Sequence, residues 1–470
     1  MRIALLNTNR LAPPIAPIGL DYVAQALWAA GHTVRLLDLC WATDWPSAVD
    51  AFLAGPEVEL VGMTLRNTDD CMLSGGQSYV DDFAAMVQHV RRHTAAPVVV
   101  GGVGFSVMPV PVLERAEADW GIRGDGQQSL CALAARLARG EDWRSVPGLV
   151  WRQDGEWHSN APAADALDGL PAMRRETVDN PRYFLHGGQV GFETRRGCPG
   201  ACTYCADPLA KGARVRLRPA AAVADEVEAL LRQGIDHLHT CDGEFNLPVE
   251  HAMAVCQEMV RRGVGDRVRW YAYCAPAPFP AEVAQLMRQA GCVGINFGAD
   301  SGDAGMLKRL GRGFGPEATA SAVAACRQAG MATMLDLLLG GPGETEETLR
   351  RTVDFVRRVR PDRAGVSLGV RVYPGTALAR QVTADGHGAG LLGGPDPLRP
   401  LYYMDPAVSS FAAELLGELV GDDPLFFYAP AGADRDYNYS DNRRLVEAIS
   451  RGYRGAYWDI LRRLAEGLPA

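Results

Sequence analysis

Apolar segments alternate with amphipathic ones along most of this chain, and this alternation limits the folds that it can adopt. Within residues 1–140 we predict five buried strands, at 3–7, 34–39, 58–65, 97–101 and 118–122, with helices between them. Strands and helices in this order indicate a parallel sheet with helices on both faces. From residue 188 about six further strand–helix units follow, which predict a parallel, partial (β/α)6 barrel. The expected fold class is α/β.

Breaks in the alternation give the expected domain limits. Residues 1–140 form a Rossmann-like domain, and residues 141–187 form a linker that contains a hairpin with a tight turn at Asp154-Gly155. Residues 188–385 form the partial barrel, and residues 386–470 a small, mostly α-helical C-terminal region on the substrate side.

Three cysteines directly after the first barrel strand are the strongest chemical signal in the sequence. Cys198, Cys202 and Cys205 have the spacing Cys-x3-Cys-x2-Cys. Three thiolates this close suit one metal centre, and they are one ligand short of a closed zinc site or a fully ligated four-iron cluster. The open position is where a substrate or cofactor binds. A zinc site with a distant fourth ligand and a purely structural cysteine cluster are the alternatives.

Composition excludes several classes of function. The net charge of −9 disfavours nucleic acid as a partner, and no apolar stretch has the roughly 20 residues of a membrane span. The chain has 11 cysteines, and its first residues do not resemble a signal peptide, so we expect a reducing, cytoplasmic location. Outside the triplet, the cysteines are expected to be small buried side chains.

Polar and glycine-rich turns follow three strands of the first predicted sheet. They occupy residues 66–70, 101–105 and 124–127. Ligands of open α/β sheets bind at the carboxyl ends of strands, and glycine there allows close approach to a large ligand. Simple turn glycines are the alternative. The chain has neither a Gly-x-Gly-x-x-Gly after its first strand nor a Walker motif, so a dinucleotide site is not expected.

These segments resemble the cobalamin-binding domain of cobalamin-dependent (class B) radical S-adenosylmethionine (SAM) enzymes. The resemblance implies cobalamin contacts at Leu65, Arg66, Asn67, Thr68, Gly101, Gly102, Val103, Gly104, Gly124 and Gln127. The motif Asp-x-His-x-x-Gly, which supplies a histidine to cobalt in other cobalamin proteins, occurs only at 385–390, far from the first strand. We therefore expect no histidine below the cobalt, and we expect Arg66 to lie nearest that face.

The cysteine loop resembles the radical SAM signature, with Tyr204 as its aromatic residue, and the resemblance implies a [4Fe–4S] cluster with SAM at the open iron. It implies SAM contacts at Tyr204, Asp242, Gly243, Glu244, Asp300, Ser301, Leu339 and Gly341. For each segment alone, a turn with a helix cap is an equally good interpretation. Glu244 and Tyr204 are the expected catalytic residues. Glu244 either meets the SAM amino group or ligates the open iron, and the spacing does not decide between these roles.

The resemblance implies a C-methyltransferase that uses SAM and methylcobalamin on a small-molecule or peptide intermediate of natural-product biosynthesis, with tryptophan-methylating enzymes as relatives. A rearrangement or cyclisation without methyl transfer is the first alternative, and a cobalamin sensor without chemistry is the second. An external electron donor such as flavodoxin or ferredoxin is expected. Tyr437, Asn438 and Tyr439 are expected either to contact substrate or to form a helix cap with packed tyrosines.

Overall fold

The computed structural model of this protein describes residues 1–163, 166–384, 388–428 and 438–470. A seven-stranded sheet forms its first part. The strands are β1 (Arg2–Asn7), β2 (Thr33–Asp38), β3 (Leu60–Thr64), β4 (Val98–Gly101), β5 (Trp120–Ile122), β6 (Leu149–Gln153) and β7 (Glu156–Ser159). Their order is β2-β1-β3-β4-β5-β6-β7. The first five strands are parallel, whereas β6 and β7 pair antiparallel. The hairpin expected within the linker therefore lies at the edge of this sheet.

Helices cover both faces of the first sheet, as the alternation predicts. They span Ile18–Ala29, Trp45–Leu53, Val80–His93, Val103–Val107, Pro109–Ala116 and Gly126–Arg139. The segment 101–105, interpreted above as a turn, is a turn only to Gly102, and a short helix begins at Val103. The glycine at 102 has a φ of 101°, a left-handed conformation that separates strand from helix.

A second seven-stranded sheet forms the partial barrel, and smaller strands flank it. The strands that follow β7 are β8 (Val190–Phe192), β9 (Arg195–Arg196), β10 (Arg216–Leu217), β11 (His237–Thr240), β12 (Arg269–Cys274), β13 (Cys292–Asp300), β14 (Ala332–Leu339), β15 (Arg363–Leu368), β16 (Val370–Arg371), β17 (Leu391–Leu392), β18 (Tyr402–Tyr403) and β19 (Phe426–Phe427). The barrel order is β8-β11-β12-β13-β14-β15-β19, all parallel.

The last predicted barrel strand is shorter than the sequence suggests. It breaks at Gly369, whose φ is 84°, and β16 pairs with β18 in a separate three-stranded sheet. A two-residue strand, β19, extends the barrel beyond the six expected strands. Barrel helices span Asn180–Gly187, Asp207–Lys211, Ala220–Arg232, Val249–Arg261, Ala281–Gln289, Ala304–Arg309, Pro316–Ala329, Glu346–Val359 and Ala377–Ala384.

The C-terminal helices span Ala412–Val420, Arg443–Ser450 and Tyr457–Ala465, one more than the sequence predicts after Arg443. The last helix closes the lower end of the barrel interior. Trp458 packs there with Tyr271 and Met334, and the Tyr271 hydroxyl donates to Asp459 Oδ2 at 2.8 Å. Among the described residues, these contacts close the barrel interior at this end. Within the described ranges, no helix is both long and apolar enough to cross a bilayer.

Candidate functional site

The cysteine loop leaves the carboxyl end of β8, and the Asp242 carboxylate holds its start. Asp242 accepts hydrogen bonds from the Thr194 backbone at 2.9 Å, the Thr194 hydroxyl at 2.7 Å and the Arg195 backbone at 3.1 Å. The Arg195 Nε in turn donates to the Glu244 carbonyl at 2.8 Å. The predicted contact between Asp242 and SAM stays a prediction, because this carboxylate is already occupied in shaping the loop.

The thiols of the triplet lie farther apart than the ligands of a bound zinc ion do. In the described part of the chain, three metal-ligand atoms within 4.8 Å of one another occur at Asp50, His89 and His93, and not at the three cysteines. Zinc bonds of about 2.3 Å would bring thiolates to roughly 4 Å from one another. Burial raises the pKa of Cys205 to about 12 and also raises that of Cys202. A positively charged metal centre would lower these pKa values and hold the cysteines as thiolates, and the spacing is compatible with a cluster.

Arg312 connects the cysteine loop to the barrel wall. Its Nη1 donates to Cys202 Sγ at 3.0 Å and its Nη2 to the Gly298 carbonyl at 2.6 Å. Its guanidinium also lies 3.4 Å from Asp300 Oδ2 and 3.9 Å from Glu244 Oε1. The sequence analysis missed this residue. A lone arginine between Gly311 and Gly313 was the available signal.

Glu244 stands beside the cysteine loop in an enclosed position. Burial raises the pKa of its carboxyl to about 7, and the charges of Arg312 and Arg195 oppose that rise. Its side chain shares Arg312 with Cys202. Both roles expected for Glu244 stay predictions, and the shared guanidinium places its carboxylate near the cluster ligands.

The remaining predicted SAM residues divide into two groups. The Tyr204 hydroxyl donates to Asp300 Oδ2 at 2.7 Å, so these two side chains meet beside the cysteine loop. Ser301 instead bonds Thr352 at 3.0 Å and is buried against helix Glu346–Val359. The second group lies at strand ends and consists of Leu339, Gly341 and Gly243. Leu339 is fully buried, and Gly341 faces Leu310 and Val370. Gly243 is partly exposed.

The segment around Gly341 forms a turn and a helix cap. The Gly340 and Gly343 amides donate to Glu344 Oε2 and Asp405 Oδ2, and Thr345 begins the next helix with a capping box. The alternative offered for this segment, a turn with a helix cap, is therefore present in the structure, and its SAM contacts stay predictions.

The loops predicted to hold cobalamin pack against each other at the ends of β3 and β4. The Gly104 amide lies 3.1 Å from the Leu65 carbonyl and 3.0 Å from that of Arg66. A Cβ at Gly102 would lie 2.4 Å from the Leu65 carbonyl oxygen, and one at Gly104 would lie 2.8 Å from the Asn67 carbonyl carbon. These two glycines are therefore required for loop packing, whatever ligand the loops bind.

Other predicted cobalamin residues differ in their access. Val103 is 44% exposed at the start of its helix and Gly101 is partly exposed, whereas Thr68 is buried and its hydroxyl donates to Asp69 Oδ2 at 2.8 Å. The Gly124 amide donates to Ser106 Oγ at 3.0 Å. Arg66 directly follows β3, and its charge opposes the rise that burial causes in the pKa values of Tyr273 and Tyr457 in the barrel. The cobalamin contacts expected at these residues stay predictions.

Gln127 joins the first sheet to the cysteine loop. Its Oε1 accepts a hydrogen bond from Arg196, whose guanidinium also lies 3.3 Å from Asp125. Gln127 Nε2 is buried and lacks a partner among the described residues. The predicted cobalamin loops and the cluster loop therefore share one wall.

An aromatic chamber lies inside the barrel, above the helix Tyr457–Ala465 that closes its lower end. Its wall includes His239 on β11 and Tyr273 on β12, whose ring centroids lie 5.1 Å apart. Asn296 and Asp336 face the same interior, with Asn296 Nδ2 3.4 Å from Asp336 Oδ2. His239 Nδ1 lies 2.8 Å from the Thr240 carbonyl, so Nδ1 carries the proton and Nε2 presents a lone pair. Burial lowers the pKa of His239 to about 4, which keeps it neutral.

The sequence analysis missed this chamber, although period-two alternation on β11 and β12 could have shown it. Of the residues predicted to contact substrate, Tyr439 packs at its floor, with its ring 5.9 Å from that of Tyr457. Asn438 Nδ2 instead lies 3.4 Å from Asp70 Oδ2 on the first domain. Tyr437 lies outside the described residues, as does His387 of the Asp-x-His-x-x-Gly match.

Comparisons with known proteins agree with this architecture. The family model described as the radical SAM superfamily matches residues 192–356, and the B12 binding domain matches residues 6–134. The tryptophan 2-C-methyltransferase of Streptomyces laurentii is 33% identical over 97% of this chain and 95% of its own length. This chain belongs to the cobalamin-dependent radical SAM methyltransferases. The enzyme class and the fold class are thereby confirmed, and so is the expected cofactor set of cobalamin, SAM and a [4Fe–4S] cluster, since TsrM structures contain cobalamin with the cluster or a SAM analogue.

Solved structures superpose over 99% and 89% of this chain. The radical SAM methyltransferase TsrM from Kitasatospora setae, with tryptophan and a SAM analogue bound, has a TM-score of 0.90 and 31% identity over 99% of both chains. The cobalamin-dependent radical SAM enzyme OxsB has a TM-score of 0.74 at 17% identity and covers 89% of this chain and 66% of its own, which shows the shared fold.

Proposed function

We propose that this methyltransferase transfers a methyl group from SAM, by way of cobalamin, to a ring carbon of tryptophan or a closely related indole amino acid. The observation that carries the proposal is the match over 97% of the chain to a tryptophan 2-C-methyltransferase. The structure supports it through the aromatic side chains that line the barrel interior, His239 and Tyr273. Cobalamin, when bound, supplies a methyl group that can pass to a carbon nucleophile.

The chamber residues have roles suited to an indole. Tyr273 is 39% exposed although the barrel surrounds it, so its ring faces the open chamber. Aromatic rings at 4.5–7 Å stabilise one another, and Tyr273 and His239 can flank a planar substrate. The neutral His239 Nε2 accepts a hydrogen bond from the indole N–H, which makes the ring more nucleophilic as it is methylated.

Relatives that match 97%, 83% and 77% of this chain are methyltransferases, whereas two cyclases match 70% and 60% of it. The rearrangement or cyclisation alternative is therefore not favoured, and neither is a sensor without chemistry. A peptide substrate is less suitable than a free amino acid, because the Tyr457–Ala465 helix closes the far end of the barrel. The electron donor stays a prediction.

The test uses anaerobically purified, reconstituted enzyme with SAM that carries a trideuteriomethyl group. Tryptophan is expected to gain three deuterium atoms on a ring carbon with one S-adenosylhomocysteine formed per product. His239→Phe should raise the KM for tryptophan by roughly tenfold, the effect of one lost hydrogen bond, and His186→Phe, on an exposed helix end, should not. Formation of 5′-deoxyadenosine without a methylated product would contradict the proposal.

A further inference from the structure

We propose that Asp50, His89 and His93 form a binding site for zinc or a similar borderline divalent cation, separate from the cofactor chamber. His89 and His93 are one helical turn apart on helix Val80–His93, so both rings project from the same face. Asp50 projects toward them from the neighbouring helix Trp45–Leu53. One ligand atom from each residue lies within 4.8 Å of the other two. We refer to these three residues as the outer triad.

The distances in the outer triad are close to those of a metal site. His89 Nε2 lies 2.6 Å and His93 Nε2 lies 3.5 Å from the same oxygen, Asp50 Oδ1. Tetrahedral zinc with bonds of about 2.0–2.1 Å holds its nitrogen and oxygen ligands about 3.3 Å apart. Small rotations of exposed side chains bring all three atoms to that spacing, and the backbones of both helices stay in place.

The hydrogen bonds of the outer triad orient its ligand atoms so that a positive charge at its centre would be stabilised. His93 Nδ1 lies 3.0 Å from the His89 carbonyl, which only accepts, so this nitrogen carries a proton. Neutral His93 therefore turns the lone pair of Nε2 toward the Asp50 carboxylate. His89 Nδ1 lies 3.4 Å from a guanidinium nitrogen of Arg92, which only donates, so His89 uses its Nε2–H toward the same carboxylate. The lone pair of His93 Nε2 and the Asp50 carboxylate repel each other. A cation between them, either a proton or a metal ion, removes this repulsion.

The ligand types select the class of metal. Two imidazole nitrogens and one carboxylate suit zinc and its neighbours in the first transition row, whereas magnesium and calcium prefer oxygen ligands alone. The hydrogen bond from His93 Nδ1 to a carbonyl is the outer contact that orients a metal-bound histidine. The Asp50 and His93 side chains are 49% and 40% exposed, which leaves a fourth position for water. Metal binding through His89 Nε2 would require the ring proton to move to Nδ1, and the contact of Nδ1 with Arg92 would then be lost.

Such a site would hold two helices together on the outside of the first sheet. Trp45, at the start of helix Trp45–Leu53, already packs edge-on against His89 with ring centroids 5.3 Å apart. Helix Val80–His93 leads into β4, whose end carries predicted cobalamin residues. The metal would therefore stabilise the support of the cobalamin loops without entering the chamber.

The experiment must separate this site from zinc on the cysteine triplet. Tag-free enzyme with its cluster and cobalamin reconstituted is incubated with zinc sulfate at pH 7.5, desalted, and measured for zinc by mass spectrometry. We expect about one zinc per chain, with X-ray absorption showing nitrogen and oxygen ligands at about 2.0 Å and no sulfur. Zinc should also raise the apparent melting temperature.

Matched variants keep the proposal falsifiable. His93→Ala and Asp50→Asn should reduce bound zinc at least about fivefold and abolish the melting shift, whereas His186→Ala, with an exposed histidine outside the outer triad, should retain both. All of these variants should keep methyltransferase activity, which shows that they fold. Undiminished zinc in His93→Ala, zinc bound through sulfur, or no zinc retained by the wild type would each overturn the proposal.

Discussion

At the scale of single residues, Arg312 has the most contacts with the predicted cluster site. A hydrogen bond from a cation to a cluster thiolate stabilises the more negative, reduced cluster and raises its potential. Arg312→Gln should therefore make the reduction potential more negative, on the order of tens of millivolts, as measured by a redox titration followed by electron paramagnetic resonance. Lys308→Gln removes an exposed cation nearby and should leave the potential unchanged. An equal shift in both variants would argue against a specific N–H···S bond.

Glu244 poses the second question at this scale, because its carboxylate either binds the open iron or meets SAM. Since it shares Arg312 with Cys202, we expect it to be the iron ligand. Glu244→Ala should then change the electron paramagnetic resonance spectrum of the reduced cluster before any SAM is added. If the spectrum changes only when SAM is present, the carboxylate contacts SAM and not iron.

Arg66 is the residue expected below the cobalt. When cobalamin is bound, a cation at this position would disfavour a protein ligand to cobalt from this side and would favour methyl donation. Arg66→Ala should shift the visible absorption of bound cobalamin and lower methyl transfer, and Arg66→Lys, which keeps the charge, should restore part of both. An unchanged spectrum and rate in Arg66→Ala would exclude this role.

At the scale of elements, strand β11 carries a buried histidine that lowers the stability of the fold at acidic pH. Its folded pKa of about 4 lies below the usual 6.5, so His239 stabilises the fold fully above pH 6.5 and progressively less as pH falls toward 4. Between pH 7.5 and 5.5 the loss is about 1 kcal/mol. The fall in melting temperature over this range should be smaller in His239→Gln than in wild type, and His186→Gln should match wild type. Equal falls in all three would contradict a buried neutral histidine.

The sequence was sufficient for elements that carry their own signal and insufficient for those that depend on neighbours. The valine-rich strand β4 and the long barrel helices follow from apolar runs and periodicity, and the cysteine loop follows from spacing. The two-residue strand β19 forms only because β15 offers an edge, and the helix from Pro109 was hidden by a second proline at 111. Arg312 and the chamber become visible only when β11, β12 and β13 are placed side by side.

At the scale of the whole molecule, a buried network of charges fixes the first domain to the barrel. Arg175, within the expected linker of residues 141–187, is 1% exposed. Its guanidinium lies 2.8 Å from Asp21 on the first domain and 2.7 Å from Glu226 on a barrel helix. It also donates to the Gly191 carbonyl on β8 at 2.8 Å. This residue thereby sets the spacing between the cobalamin loops and the cluster loop.

Removing Arg175 should therefore disturb both stability and the alignment of cofactors. Arg175→Met leaves two buried carboxylates with one fewer cation, and breaking a buried ion pair in this way costs roughly 3–5 kcal/mol. In this variant Arg218, 2.5 Å from Glu226, still neutralises the Glu226 carboxylate. The Asp21 carboxylate, however, loses the cation with which it pairs. We expect a lower urea midpoint for unfolding, together with methyl transfer that falls more than cobalamin binding. Arg174→Met, one residue earlier and exposed, is the matched control, and equal midpoints in the two variants would show that the network does not hold the domains together.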